Sequence, residues 1–165
     1  MILIGVSPEY GRRWPKLSGK LDVLLQLAEE KSRYVIEVMQ QEHDCIALVD
    51  SGGSVSVVSI SISSENAKNT FIPMFSTLLR KLNAECYVLI SEAWATTSNR
   101  PRIEGIPVSE LPLDDRDEIL QLMAVENKGS CKGRMAVIDN TPHGRKLREF
   151  KSVTVLAGRL MVKEW

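Results

Sequence analysis

The sequence predicts a two-layer α+β domain in which a mixed sheet of five or six strands carries two helices on one face. Two segments repeat apolar residues at helical spacing, and several short apolar runs are bounded by turn residues. A strand, a helix and a second strand follow one another mid-chain, which predicts a crossover connection. The 165 residues fit one domain, 1–165, with a basic arm at 1–17 and a long loop at 95–113.

The composition is that of an ordinary globular protein. Lys and Arg number 21, Asp and Glu also number 21, and 44% of residues are apolar, so no net charge attracts nucleic acid or lipid. The opening apolar run ends at Val6 and lacks a basic leader, which predicts neither a signal peptide nor a membrane span. We therefore expect a cytoplasmic protein.

The three cysteines are an odd number without a close pair, at Cys45, Cys86 and Cys131. This spacing predicts reduced thiols rather than disulfides. A zinc site would need clustered partners, and the chain has two histidines, so we expect no bound metal.

The basic arm contains Arg12, Arg13 and Trp14 within the segment Tyr10 to Lys20. Basic residues interleaved with aromatic ones can follow a phosphate backbone and stack on bases. The alternative is a solvated arm whose Trp14 packs against the domain.

The first helix follows the arm. Ser18 is a suitable N-cap, and the apolar spacing continues to Gln41, with a break expected near Ser32. The apolar positions of this helix are Leu21, Leu24, Leu25, Ala28, Val35 and Met39.

Two strands joined by a tight turn come next. Cys45 to Val49 is a short apolar run, and Asp50 to Gly53 supplies the residues that a hairpin turn needs. In the partner strand, Ser54 to Ile62, the alternation shifts by one residue at Val57 and Val58, which predicts a β-bulge.

The second helix precedes the most apolar strand of the chain. Ser63-Ser64 and Asn69-Thr70 offer two possible helix starts, of which Pro73 favours the second, no earlier than about Asn69. Asn83 is a C-terminal cap. Cys86 to Ile90 has no charged member and predicts a strand covered on both faces, extending to Trp94. The crossover rule places it parallel to the strand Ser54 to Ile62.

The second half begins with the loop Ala95 to Leu113, which contains three prolines and few apolar residues. Loops of this length inside a compact domain are often functional or mobile, and we expect this one to be so. Beyond it, Ile119 to Glu126 and Met135 to Ile138 predict an antiparallel pair. Val153 to Leu156 and Leu160 to Val162 predict a last hairpin or an edge strand.

Charge is segregated between two neighbouring segments. Seven acids and one base lie between residues 104 and 126, and seven bases and two acids between 127 and 151. We expect the two segments to pair internally. The alternative is a basic patch for nucleic acid, which would include Arg145, Lys146 and Arg148.

Glu92 and Trp94 follow the apolar run at the carboxyl end of the predicted central strand, where ligands often bind in sheets with crossover connections. Glu92 is therefore a candidate catalytic residue and Trp94 a candidate contact residue. A partly buried carboxylate needs a partner to stay ionised. We expect Arg116, the base within the acidic run, or another base to hold Glu92 in a structural role.

One pattern indicates an enzyme. Asp114 or Asp117, followed by Glu126 and Lys128 after an apolar strand, is similar to metal-dependent nucleases of restriction-enzyme type. The acids would bind Mg²⁺ and the lysine would position the attacking water or the phosphate. The alternative is that Lys128 is a polar residue of a hairpin turn.

The sequence SEAW (Ser91 to Trp94), the acidic cluster Asp114 to Glu118 and the AVEN turn (Ala124 to Asn127) stand in an order that resembles a scattered group of small bacterial and phage proteins. The likeness covers roughly residues 33–139. It implies a shared fold and a shared site, and no reaction. We therefore expect a non-catalytic interaction or regulatory module of the kind mobile elements encode, with a protein partner, nucleic acid or a second copy of the chain bound at its surface.

Overall fold

The computed structural model describes residues 2–7, 20–62, 64–96, 106, 108–154 and 161–165. The predicted arm residues Arg12, Arg13 and Trp14, the cap Ser18 and most of the predicted last hairpin lie outside this part of the chain. The described residues form an α+β fold with two helices and eight strands. No helix among them is both long enough and apolar enough to cross a membrane.

The strands form one sheet in the order β1-β3-β2-β4-β5-β6-β7, with β8 beside β6. Their bounds are β1 Ile2–Ser7, β2 Ile46–Ser51, β3 Ser54–Ile62, β4 Cys86–Thr96, β5 Arg116–Glu126, β6 Cys131–Thr141, β7 Gly144–Leu147 and β8 Lys151–Val153.

Every neighbouring pair of described strands is antiparallel, so the predicted mixed sheet is not found. Strands β3 and β4 do run parallel, as the crossover rule predicts. They are not neighbours, however, because β2 lies between them and is antiparallel to both. Strand β2, the hairpin partner of β3, therefore lies beside β3 in the position where β4 was expected.

Helix α1, Lys20–Arg33, continues into a π-helical turn, Tyr34–Val38, in agreement with the predicted break near Ser32. The Ser32 hydroxyl donates to the Ala28 carbonyl over 2.7 Å, a bond that competes with the helix backbone. The Met39 amide donates to the Tyr34 carbonyl at the end of this turn.

Helix α2, Glu65–Lys81, begins four residues before the predicted start. Its N-cap is Ser64, whose hydroxyl accepts from the Ala67 amide over 3.1 Å. Pro73 consequently lies inside the helix, where it supplies no backbone donor. The helix ends before Asn83, whose φ of 50° agrees with its predicted capping role.

The two helices pack on opposite faces of the sheet, so the predicted single helical face is not confirmed. Cys86, Val88 and Ile90 of β4 pack in the same core as α1, whereas Tyr87 and Leu89 pack in the core of α2. Because successive side chains of a strand point to opposite faces, the central strands lie between two helical layers.

The bulge predicted in β3 is not present, and burial on two faces explains the residue pattern that suggested it. The register of β3 with both neighbours is continuous through Val57 and Val58. Val57 belongs to the α1-side core and Val58 to the α2-side core. The shift in alternation marks a strand whose two halves are buried on different faces.

The C-terminal residues 161–165 close the α2-side core. The Tyr87 hydroxyl donates to the Val162 carbonyl over 2.8 Å and accepts from the Val162 amide over 2.9 Å. The indole of Trp165 donates to the Ala84 carbonyl over 2.9 Å. Met161 and Val162 are buried but form no strand, in contrast to the predicted hairpin.

Candidate functional site

On the α1 side of the sheet, polar side chains replace the apolar ones near the end of the π-helical turn. On β4 the apolar positions up to Ile90 give way to Glu92 and Trp94, and on β5 the positions before Leu120 are Arg116 and Glu118. Their register places Trp94 opposite Glu118 and Thr96 opposite Arg116. Four charged or aromatic side chains therefore share one face over two strands.

Arg145 of β7 lies at the centre of this group. Its Nη2 contacts Glu92 Oε2 at 3.0 Å and Glu118 Oε1 at 2.7 Å, and its Nη1 donates to Glu92 Oε1 and to the Gln41 carbonyl. The three side chains are 15–17% exposed. Glu92, Glu118 and Arg145 therefore form a partly buried ionic network. The side-chain amide of Asn140 donates a further hydrogen bond to Glu118.

The prediction that a base holds Glu92 is confirmed, but the base is Arg145 and not Arg116. Arg116 lies opposite Thr96, four residues beyond Glu92 on β4. At about 3.3 Å per residue this separates them by roughly 13 Å along the sheet. The sequence did not predict Arg145 as the partner because β7 reaches this face only after the chain has folded back along β6.

Trp94 and Arg116 form a stacked pair beside the network. The guanidinium carbon of Arg116 lies 4.1 Å from the centre of the Trp94 ring. Arg116 also donates from Nη1 to the Ser109 carbonyl and from its backbone amide to the Leu113 carbonyl. Trp94 stays 39% exposed and Leu113 71% exposed. We call Trp94, Arg116 and Leu113 the Trp94 surface.

His43 packs against the other side of the network. Its backbone amide donates to Glu92 Oε1 over 2.5 Å, and its Nδ1 lies 2.8 Å from the Asp44 carbonyl. The residue is 6% exposed, and its buried Nε2 has no hydrogen-bond partner among the described residues. Burial lowers the pKa of this imidazole, against smaller raising effects from Asp44 and Glu92.

The predicted nuclease residues do not come together. Asp117 and Glu126 lie at opposite ends of β5, nine residues apart, which corresponds to roughly 30 Å. Asp114 is exposed in a short 3₁₀ turn before β5, and Lys128 pairs with Glu164 at 3.3 Å. Among the described residues no three acidic, histidine or cysteine side chains are grouped to bind a metal ion. The predicted triplet of two acids and a lysine therefore has no common centre.

The cysteines are free thiols, as predicted. Burial raises the pKa of Cys45 to about 11 and that of Cys86 to about 12. Both thiols stay protonated at neutral pH, so neither is an activated nucleophile.

Most bases of the predicted basic segment contact acids. Glu118 and Arg145 pair across the two charged segments, as predicted, but other bases reach α1 instead: Lys132 contacts Asp22, and Arg134 contacts Glu29. Arg148 binds Asp139 through two bonds of 2.8 and 2.9 Å, and Lys146 is exposed. The bases on β6 point toward α1 because they share the alternation of Ala136 and Ile138.

Two residues of the site were not among the predicted ones. Glu118 could have been found from alternation, since it precedes the buried Leu120 by two positions and must share its face. His43 carries no such signal, because it lies in a connection whose path depends on where the π-helical turn ends.

Comparisons of the chain with protein-family models, curated proteins and solved structures give no match. The resemblance carried by SEAW and the acidic cluster therefore stays a prediction.

Proposed function

We propose that the chain is a non-catalytic interaction module of the cytoplasm that binds a partner protein at the Trp94 surface. The observation that carries this proposal is the exposed Trp94 ring, stacked by Arg116 on a strand. Tryptophan and arginine dominate the binding energy of many protein interfaces. A side chain already held in place loses less entropy when a partner binds.

The ionic network supports a binding role rather than a catalytic one. Glu92 accepts bonds from Arg145 and from the His43 amide, and Glu118 accepts from Arg145 and Asn140. Both oxygens of each carboxylate therefore accept hydrogen bonds within the protein, as in a structural ion pair. The network instead fixes the strands that present Trp94.

Nucleic acid is the second candidate partner. Affinity for a phosphate backbone depends on cations that are free to replace its counterions. Five of the seven bases between residues 127 and 151 pair with acids, which weakens this candidate for that segment. Arg12, Arg13 and Trp14 of the arm are the residues through which it would act.

The proposal is tested with the protein, its Trp94→Ala variant and a Met74→Ala control on the opposite face, where Met74 is 43% exposed on α2. Each is used to capture partners from a cytoplasmic extract, and captured proteins are then purified and titrated by calorimetry. We expect a partner whose affinity falls about 30-fold or more with Trp94→Ala and is unchanged with Met74→Ala. Sedimentation of the same proteins tests a second copy of the chain as that partner.

Two further measurements decide against the alternatives. Fluorescence anisotropy with single- and double-stranded DNA and RNA tests nucleic-acid binding, and plasmid cleavage with Mg²⁺ or Mn²⁺ tests the nuclease. Metal-dependent cleavage abolished by Glu126→Gln, or the lack of any Trp94-dependent partner, would show the proposal to be wrong.

A further inference from the structure

His43 is a buried histidine that the proposed binding role does not use. Its Nδ1 lies 2.8 Å from a carbonyl oxygen and must carry the hydrogen of that bond, which leaves Nε2 as the nitrogen without a hydrogen. This Nε2 is buried, and no group in the described part of the chain bonds to it. A proton added there would create a buried cationic donor with no acceptor, at a cost comparable to burying an unsatisfied charged group.

Charged groups on two other elements and in its own segment act on the imidazole of His43. Lys31 faces it from α1, Glu92 from β4 and Asp44 from its own segment. Arg145 of β7 reaches it through Glu92. The other acid nearby in the helical turn, Glu37, is already engaged by Arg33 and by the Leu147 amide. Glu92 attracts a charged imidazole and Lys31 repels it, and neither bonds to Nε2.

The segment 40–45 carries contacts to Arg145 as well as His43. Gln40 bonds to the backbone of Arg145 through both ends of its amide, at 2.6 and 3.2 Å. The Gln41 carbonyl accepts from Arg145 Nη1 over 2.8 Å. Movement of this segment therefore removes three bonds from Arg145, which pairs with Glu118 opposite Trp94.

We propose that protonation of His43 releases the segment 40–45 from Glu92 and Arg145, so that the chain carries an acid-sensitive contact at the ionic network that borders the Trp94 surface. Release lets water hydrate the new Nε2 donor. In the closed segment this nitrogen is buried and water does not reach it. Any effect of this release on partner binding rests on the proposed function. The release of the segment itself does not require a partner.

The direction of the pH dependence follows from the closed state. Because burial lowers the pKa of His43 in the closed state, the open state binds the proton more tightly. The closed segment is therefore fully stabilised above the ordinary imidazole pKa of about 6.5 and loses that stability as pH falls toward the lower pKa. Across that interval the opening constant rises by up to about tenfold for each pH unit.

Hydrogen exchange measured by mass spectrometry tests this in the full chain without any partner. Between about pH 7.5 and about pH 5.5, after correction for intrinsic exchange, we expect the opening of 40–45 to increase in the native protein, by up to about tenfold. His43→Gln cannot take up the proton and should remove this response. His143→Gln is the matched control, because His143 is the second histidine of the chain and is exposed.

An equal response in His43→Gln and the native protein would overturn the inference, as would the lack of any response in the native protein. If His43→Gln does not fold, the imidazole of the native protein is titrated by NMR instead. A titration at or above the ordinary pKa of about 6.5 would also overturn it. Because none of these measurements uses a partner, their failure is distinct from failure of the proposed binding role.

Discussion

Arg145 and Arg148 differ mainly in their surroundings, since each binds carboxylate oxygens by more than one bond. Replacing Arg145 with Met leaves Glu92 and Glu118 partly buried without their cation, so we expect a loss of about 2 to 4 kcal/mol in the free energy of unfolding. Arg148→Met should change stability little, because its pair with Asp139 is exposed to solvent. Urea unfolding of both variants checks this. Equal losses would show that burial of the Arg145 network contributes nothing.

Glu92 shows how far a residue's role can be read from the sequence. An acid that follows a doubly covered strand needs a cation, and that requirement is met. The choice of cation depends on the path of β6 and β7, which local spacing does not encode. We expect Glu92→Gln to lower the free energy of unfolding by roughly 1 to 3 kcal/mol, measured in urea. Unchanged stability together with lost partner binding would assign Glu92 to the contact itself.

At the scale of single elements, Leu89 and Ile90 of β4 are adjacent in sequence and lie in different cores. Both are almost fully buried, as the run Cys86 to Ile90 predicts. Each substitution to Ala should cost about 2 to 5 kcal/mol through lost transfer energy and a cavity. Because the side chains share no core, the costs should add in the double variant. A double variant much more stable than that sum would argue against two separate cores.

Helix α2 shows a local preference overridden by a cap and a core. Pro73 predicts a start near Asn69, but the helix is capped earlier, by Ser64. Its apolar face is buried in the core through Phe71, Phe75 and Leu79. Pro73 is exposed within the helix. Pro73→Ala restores a backbone donor, so we expect a gain of about 1 to 3 kcal/mol in the free energy of unfolding. A loss of stability in thermal and urea unfolding would mean that the proline stabilises the native helix.

At the scale of the whole molecule, the two helices and the strands β2 to β6 were predictable, whereas the number of layers was not. Two strands were also missed: β1 lies in the segment predicted as a basic arm, and β7 lies in the predicted basic segment. The alternation in β3 and the apolar run in β4 do indicate that the sheet is covered on both faces, because both strands have buried side chains on each face. A shift in alternation is also the sign of a bulge, and the periodicity of one strand does not distinguish the two. The distinction depends on which face α2 covers, a property of the assembled sheet.

Residues 161–165 cover the α2-side core and contact Tyr87, which lies far away in the sequence. Its hydroxyl bonds to both the amide and the carbonyl of Val162. Tyr87→Phe removes both bonds and leaves these backbone groups without this partner, so we expect a loss of about 1 to 3 kcal/mol. Tyr34→Phe is the matched control, because Tyr34 is largely exposed, and should leave the urea midpoint unchanged. If Tyr87→Phe were as stable as the parent, residues 161–165 would cover the core by apolar contact alone, and the hydroxyl would not contribute to closing it.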